Sequence, residues 1–144
     1  MVVVMAIVAV VITIGMFTFS DFFQRDAARR AAQVFAQDLV AARSFAVRSQ
    51  EPVVVRFYEP GLWYEVRGQD SDEEIARRRF GASAELDLSG LALDLDGDSV
   101  VFDARGVASI GGGGGALATA RFSSGPITYT VSFNGMGAST IDPT

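Results

Sequence analysis

The chain opens with an uncharged apolar run from Met1 to Phe19, and a helical pattern follows it without a break. A helix of that length spans about 30 Å, close to the thickness of a hydrocarbon core. A cleaved signal peptide would need a shorter apolar stretch behind a basic start. We therefore predict that residues 1–20 form the transmembrane half of a long helix. Its apolar surface comprises Val2, Val3, Val4, Ile7, Val10, Val11 and Ile14.

Residues 21–50 continue the helix with an amphipathic pattern. Small and apolar side chains recur there at steps of three and four, which places them on one stripe of the helix. This stripe should pack on a β-sheet through Phe35, Leu39, Ala42 and Ala46. Since Pro52 cannot continue a helix, the helix should end near Gln50.

Residues 51–144 carry the patterns of a β-rich globular domain. The runs 52–58 and 62–66 are rich in β-branched and aromatic residues and flank a Glu-Pro-Gly break, so they predict a hairpin. We expect Trp63 and Tyr64, in the second run, to pack between helix and sheet.

Further strands are expected in the rest of this domain. They lie at 75–80, 91–95, 99–102, 117–122 and 127–133. Asp96 and Gly97 form the dipeptide most typical of hairpin turns, so 91–95 and 99–102 should pair; 117–122 and 127–133 should form a last hairpin. The fold class predicted is α+β, with a long N-terminal helix packed on antiparallel β-sheet.

Composition and charge exclude several classes of function. The net charge is −5 and the pI is near 4.6, which argues against a general nucleic-acid binder. All twelve cations are Arg, and there is no His and no Cys. The commonest general base, the thiol nucleophile and the usual metal ligands are therefore missing. We expect no catalytic residue, no cofactor and no enzymatic activity.

Three sequence features suggest binding sites, and each has a simpler structural interpretation. Gly111–Gly115 lacks the Lys of a phosphate-binding loop, so we interpret it as a flexible linker. Asp94, Asp96 and Asp98 offer oxygens to Ca²⁺, but an EF-hand needs a Glu where Arg105 stands. A solvated hairpin turn is the favoured interpretation of these aspartates.

The third feature is the cluster of Arg77, Arg78 and Arg79. It is a candidate contact for an acidic or phosphate-bearing partner. Acidic side chains lie just upstream, so local charge compensation is the favoured interpretation. Those acidic residues are Asp70, Asp72, Glu73 and Glu74.

A family resemblance covers most of the chain. The apolar start and the following segment FSDFFQRDAARRAAQVFAQDLVAARSFAVRSQEPVVVRF resemble the N-terminal helix and first strand of type IV pilin-like proteins. The match is closest to GspH/FimT-type minor pseudopilins and minor pilins, whose "DL…ARS-AV-R…PV" pattern is similar to residues 38–53. Val101-Phe102-Asp103 with Arg105-Gly106, and Val131-Ser132 with Gly135, look like their strand ends.

The resemblance implies a pilin-like fold and a role in filament assembly. The apolar half-helix, Val2 to Ile14, would anchor the subunit in the inner membrane as a single span and then pack in the filament core. The implied function is that of a minor structural subunit of the periplasmic pseudopilus in type II protein secretion. The alternative is a minor type IV pilin, in pilus assembly or DNA uptake. The implied partners are other pseudopilins or pilins.

The chain departs from the family pattern at both ends. Family members carry a basic leader, cut by prepilin peptidase before a Phe that is then methylated, and a Glu at the fifth mature position. Met1 aligns just after that Glu, so we expect a start codon assigned too late or a trimmed chain, with the peptidase a partner of the full-length protein. Without the leader, the positive-inside rule would leave the domain in the cytoplasm; the leader would place it in the periplasm. Residues 135–140 lack the Arg-bearing motif of DNA-binding members, so we expect no DNA partner.

Overall fold

A computed structural model of the protein describes residues 2–81, 84, 86–94, 99–110, 113–114 and 117–144; for 2–3, 5–21 and 113–114 it describes the backbone alone. In these residues the chain forms one long helix, a 3₁₀ turn and ten strands. The helix, α1, is Val2–Ser49, and the 3₁₀ turn is Glu59–Gly61. The strands are β1 Val53–Tyr58, β2 Trp63–Gly68, β3 Glu74–Arg79, β4 Gly90–Asp94, β5 Ser99–Phe102, β6 Ala108–Ile110, β7 Gly113–Gly114, β8 Ala118–Ser124, β9 Ile127–Phe133 and β10 Ser139–Pro143.

The strands form two antiparallel sheets. Sheet A has the order β3-β2-β1-β5-β6-β7, and sheet B has the order β10-β9-β8-β4. In sheet A, Val55 of β1 pairs with Val66 of β2 on one side and with Val100 of β5 on the other. The fold is the predicted α+β arrangement of a long helix on antiparallel sheets.

The core lies where the C-terminal half of α1 packs on both sheets. Phe35, which has no exposed surface, is at its centre. Its ring centroid lies 5.4 Å from that of Phe57 and 5.3 Å from that of Tyr64, both in sheet A. The centroids of Phe122 and Phe133, both in sheet B, lie at 5.4 and 5.8 Å. One helical side chain therefore joins both sheets in a single core.

The predicted pairing of 91–95 with 99–102 is wrong. β4 pairs with β8 in sheet B, so that Leu91 lies opposite Phe122. β5 pairs with β1 and β6 in sheet A, so that Val100 lies opposite Val55. Each run pairs with a strand distant in sequence, because it buries its apolar side chains in a different sheet. The predicted turn residues, Asp96 and Gly97, lie outside the described residues.

Three smaller differences from the predictions concern the Gly-rich segment, the C-terminal tail and Trp63. Gly113–Gly114, interpreted as part of a linker, pairs with β6; Gly111, Gly112 and Gly115 lie outside the described residues. The tail adds β10 to the edge of β9. Trp63 is only half-buried and stacks on Tyr58, because successive side chains of a strand point to opposite faces.

Candidate functional site

A polar cluster joins the helix to the edge of sheet A. Asp38 lies on the buried stripe of α1, one turn after Phe35, and only 7% of its surface is exposed. The Tyr64 hydroxyl donates to Asp38 Oδ2 at 2.8 Å. Arg78 donates from Nε to Oδ2 at 2.9 Å and from Nη2 to Oδ1 at 3.1 Å. The carboxylate therefore has partners on both oxygens, which is what a buried charge requires.

The cluster perturbs the groups bound to Asp38. Burial raises the pKa of the Tyr64 hydroxyl above its usual value, and the negative charge of Asp38 raises this pKa further. The hydrogen bond to Asp38 likewise raises the pKa of the Arg78 guanidinium. From the sequence, Asp38 was recognised only as part of the family pattern, and no site role was predicted for it. The sequence feature that could have pointed to a buried role is an acidic residue among the apolar positions of the helix.

The three arginines predicted as a partner contact lie in three different environments. Arg77 pairs with Glu65 at 3.1 Å and Glu74 at 3.0 Å, and its guanidinium lies 5.4 Å from the centre of the Trp63 ring. Arg78 is the partner of Asp38. Arg79 is exposed and has no ion pair within the described residues. Of the three, only Arg77 pairs with one of the four upstream acidic residues.

Another cation neutralises more of the upstream acidic residues. Arg67 of β2 donates to Asp72 at 2.8 Å and lies 3.5 Å from Glu74. Asp72 therefore compensates Arg67, and Glu74 compensates both Arg67 and Arg77. Within the described residues, Arg79 is the member of the cluster that has no ion pair.

A half-open groove runs between α1 and the end of β3. Its volume is about 250 Å³. Side chains from the exposed face of the helix form one wall, and β3 with the segment after it forms the other. The lining residues are Arg30, Gln33, Val34, Gln37, Arg78, Arg79, Phe80 and Leu86. The groove is cationic at its rim and partly apolar in its lining.

An exposed apolar patch lies near the C-terminal end of the helix. Arg43 Nη1 donates to the carbonyl oxygen of Met136 at 2.6 Å, which holds the loop between β9 and β10 on α1. Gly106, in the loop between β5 and β6, packs against Val47 closely enough that a Cβ atom would lie 2.8 Å from Val47 Cγ2. The exposed apolar residues on α1 and these two loops are Val40, Val47, Val107 and Met136.

The other predicted site residues fall into three groups. Phe35, Leu39, Ala42 and Ala46 are fully buried members of the core. Of the predicted membrane residues, Val4 is exposed, while Val2, Val3, Ile7, Val10, Val11 and Ile14 lie among the residues whose side chains are not described.

The third group is the aspartates considered for Ca²⁺. Asp94 faces Arg121 at 3.4 Å, and Asp96 and Asp98 lie outside the described residues. Within the described part of the chain, no cluster of three or more acidic residues has the arrangement of a metal site. Among the residues whose side chains are described, no helix carries an apolar stretch long enough to cross a membrane.

Comparisons with known proteins link this geometry to a family. The model of the family described as type II transport protein GspH matches residues 31–140. No curated protein sequence matches the chain.

Solved structures of two proteins share the fold. One is the type IV minor pilin FimU of Pseudomonas aeruginosa, with a TM-score of 0.61, 15% identity, and coverage of 85% of this chain and 92% of that one. The other is the minor pseudopilin EpsH from the type 2 secretion system of Vibrio cholerae, with a TM-score of 0.54, 16% identity, and coverage of 81% and 96%.

Proposed function

The chain belongs to the GspH family of type II transport proteins, and on that premise we propose that it is a minor, non-enzymatic subunit of a periplasmic pseudopilus in type II protein secretion. The observation that carries the proposal is the match over residues 31–140, which takes in the packed half of α1 and nearly all of both sheets. Its partners would be other pseudopilins.

The division of α1 into two parts supports this role. Among its described side chains, full burial starts at Ala28, while Phe22 and Phe23 are about two-thirds exposed. The preceding part of the helix, residues 2–23, is about 33 Å long at ~1.5 Å per residue. We propose that this part anchors the subunit in the inner membrane and then packs against the helices of neighbouring subunits. Prepilin peptidase would process the subunit, with methylation of its N-terminus, before assembly.

The second candidate is a minor subunit of a type IV pilus. The similarity of the fold to FimU favours it as much as the similarity to EpsH favours the pseudopilus. Both candidates use the same division of α1 and differ in the machine that the subunit joins.

Deletion of the gene in its own bacterium, with complementation by the intact gene, tests the proposal. We expect type II cargo to accumulate in the periplasm of the deletion strain, since the pseudopilus acts on cargo there, while surface pili remain. Loss of pili with secretion intact would favour the second candidate. Unchanged secretion and unchanged pili would contradict both.

A single-cysteine series tests assembly directly, because the chain has no Cys of its own. Ile7→Cys, in the apolar half of the helix and alkylated with a maleimide–benzophenone, should form photo-cross-links to other pseudopilins in membranes. The matched control is Thr119→Cys, on β8 of the globular domain. Equal cross-linking of both variants would contradict packing through the apolar half-helix.

A further inference from the structure

Strand β3 is an open edge of sheet A. The Phe80 N–H donates to the Leu62 carbonyl oxygen at 2.8 Å, so these two residues form a hydrogen-bonded pair that continues the β2–β3 ladder. Hydrogen-bonded and non-hydrogen-bonded pairs alternate along an antiparallel ladder. Arg79 and Arg77 are therefore in non-hydrogen-bonded pairs, and their N–H and C=O groups point away from β2. Within the described residues, nothing bonds to these groups.

The two edges of sheet B are less accessible to a new strand. At the edge of β4, the Leu93 N–H donates to Glu59 Oε1 at 3.1 Å, so a side chain already occupies that position. At the edge of β10, Pro143 has no N–H to donate, and Asp142 would repel an acidic strand. Along Arg77–Arg79 the edge of β3 has neither obstacle, and this part of the edge borders the groove.

The side chains around this edge define the chemistry of a segment that would fit it. An added strand would place alternate side chains opposite Arg77 and Arg79, where opposite charges are favourable. The intervening side chains would point toward the groove, with Val34, Phe80 and Leu86 in its lining. A segment that alternates acidic and apolar residues would place its acidic side chains beside the arginines and its apolar side chains in the groove.

We propose that β3 and the adjoining groove bind an extended, acidic segment of a partner protein by strand addition, with Arg79 as the principal cation. Arg30 and Arg78 have ion-pair partners in Asp26 and Asp38, whereas the exposed Arg79 has none within the described residues. Arg79 therefore neutralises the segment without giving up an existing ion pair. This proposal rests on the assembly function proposed above, and it specifies the chemistry of one assembly partner.

Fluorescence anisotropy with the full chain in detergent micelles tests the proposal. The probe is a labelled peptide of about eight residues that alternates Val and Asp, the length of an ordinary strand. One control peptide alternates Val and Lys. The other is the Val/Asp peptide with N-methyl groups on both edges, which removes the N–H donors of strand pairing and leaves the charge unchanged.

Two variants of Arg79 and one matched control complete the design. Arg79→Glu reverses the charge, and Arg79→Pro removes the outward N–H, which an edge strand tolerates. Arg105→Glu reverses the charge of another exposed arginine and keeps its backbone hydrogen bond to Asp103. Circular dichroism establishes that each variant is folded.

We expect the Val/Asp peptide to bind, with affinity that falls as salt rises, and both control peptides to fail. Arg79→Glu and Arg79→Pro should each weaken binding by about fivefold or more, and Arg105→Glu should leave it unchanged. Equal binding of the N-methylated peptide would overturn strand addition. Binding of duplex DNA at the same residues, without peptide binding, would overturn the choice of an acidic polypeptide.

This experiment separates the surface from the proposed function. If the peptide binds as expected but the deletion strain secretes normally and keeps its pili, the surface remains established and both assembly functions fail. If the deletion strain fails to secrete but the peptide does not bind, the assembly function holds and the surface is wrong.

Discussion

Arg78 on β3 and Asp38 on α1 form a two-point ion pair, with both carboxylate oxygens of Asp38 accepting hydrogen bonds from the guanidinium at 2.9 and 3.1 Å. The residues are forty positions apart in sequence. Tyr64 adds a third bond to the same carboxylate. Together these bonds fix the position of the helix relative to the edge of sheet A, and so fix the two walls of the groove.

Removal of this carboxylate should destabilise the fold. We expect Asp38→Ala to lower the free energy of unfolding by about 2 kcal/mol, because it leaves the buried Tyr64 hydroxyl without its acceptor. The expected loss is smaller than for a fully buried ion pair, because Arg78 is half-exposed and its guanidinium is solvated again once Asp38 is removed. The matched control is Asp94→Ala, which removes an exposed pair and should cost less than about 0.5 kcal/mol. Urea unfolding measures both, and equal losses would contradict the structural role of Asp38.

Tyr64 should make stability depend on alkaline pH. The pKa of its hydroxyl is raised in the folded state, first by burial and then by the charge of Asp38. A group with a raised pKa contributes stability that is complete below its unfolded pKa, about 10 for Tyr, and is lost as pH rises above it. We expect the free energy of unfolding to fall above pH ~10. The free energy of unfolding of Tyr64→Phe should fall less over the same pH range. Parallel pH dependences of the two proteins would contradict the assignment to Tyr64.

Phe35 should be the most sensitive position of the core. Phe35→Ala removes a ring that contacts both sheets, and we expect it to lower the free energy of unfolding by about 3–5 kcal/mol through lost burial and a residual cavity. Phe22→Ala removes an equally large side chain from an exposed position of the same helix and should cost less than about 1 kcal/mol. Denaturant unfolding checks the pair. Similar losses would mean that Phe35 does not join the sheets.

Gly106 should not tolerate a side chain. It has a φ of +77°, and a Cβ atom there would lie 2.8 Å from Val47 Cγ2 and 3.0 Å from Arg43 Cγ. Gly106→Ala therefore adds a clash to backbone strain and should cost about 2 kcal/mol or more. Gly81→Ala is the control, because its φ of +118° gives strain while its Cβ would lie 3.9 Å from the nearest side chain, that of Leu62. In thermal unfolding, Gly106→Ala should have a lower Tm than Gly81→Ala.

The protein should not bind duplex DNA at physiological salt. Its net charge is −5, and residues 135–140 contain no cation. Phosphate contacts require a surplus of Lys and Arg, so the electrostatic part of the affinity should be absent. Electrophoretic mobility shift should show no complex at micromolar protein. A salt-dependent shift below micromolar concentrations would contradict this expectation.

The strand pairings that the sequence predicted correctly are those between neighbours in the chain. β1 with β2, and β8 with β9, are hairpins whose turn residues lie between the paired runs. The pairing expected around Asp96-Gly97 was wrong because a turn signal cannot show which sheet each flanking run joins. The choice depends on distant partners, β8 for Leu91 and β1 for Val100. Trp63 was misplaced because the alternation of β2 directs it away from the helix.

By itself, the sequence determined the long helix, the two hairpins, the α+β class and the resemblance to pilin-like proteins. These depend on periodicity and on contacts between neighbouring residues, which a linear chain displays. Only the tertiary structure decided how the strands divide into two sheets, that Asp38, Tyr64 and Arg78 meet, and which arginine beside the groove has no ion pair among the described residues. Those outcomes depend on residues that lie far apart in sequence and meet only when the helix packs against the sheets, because burial and charge pairing are satisfied across the whole fold.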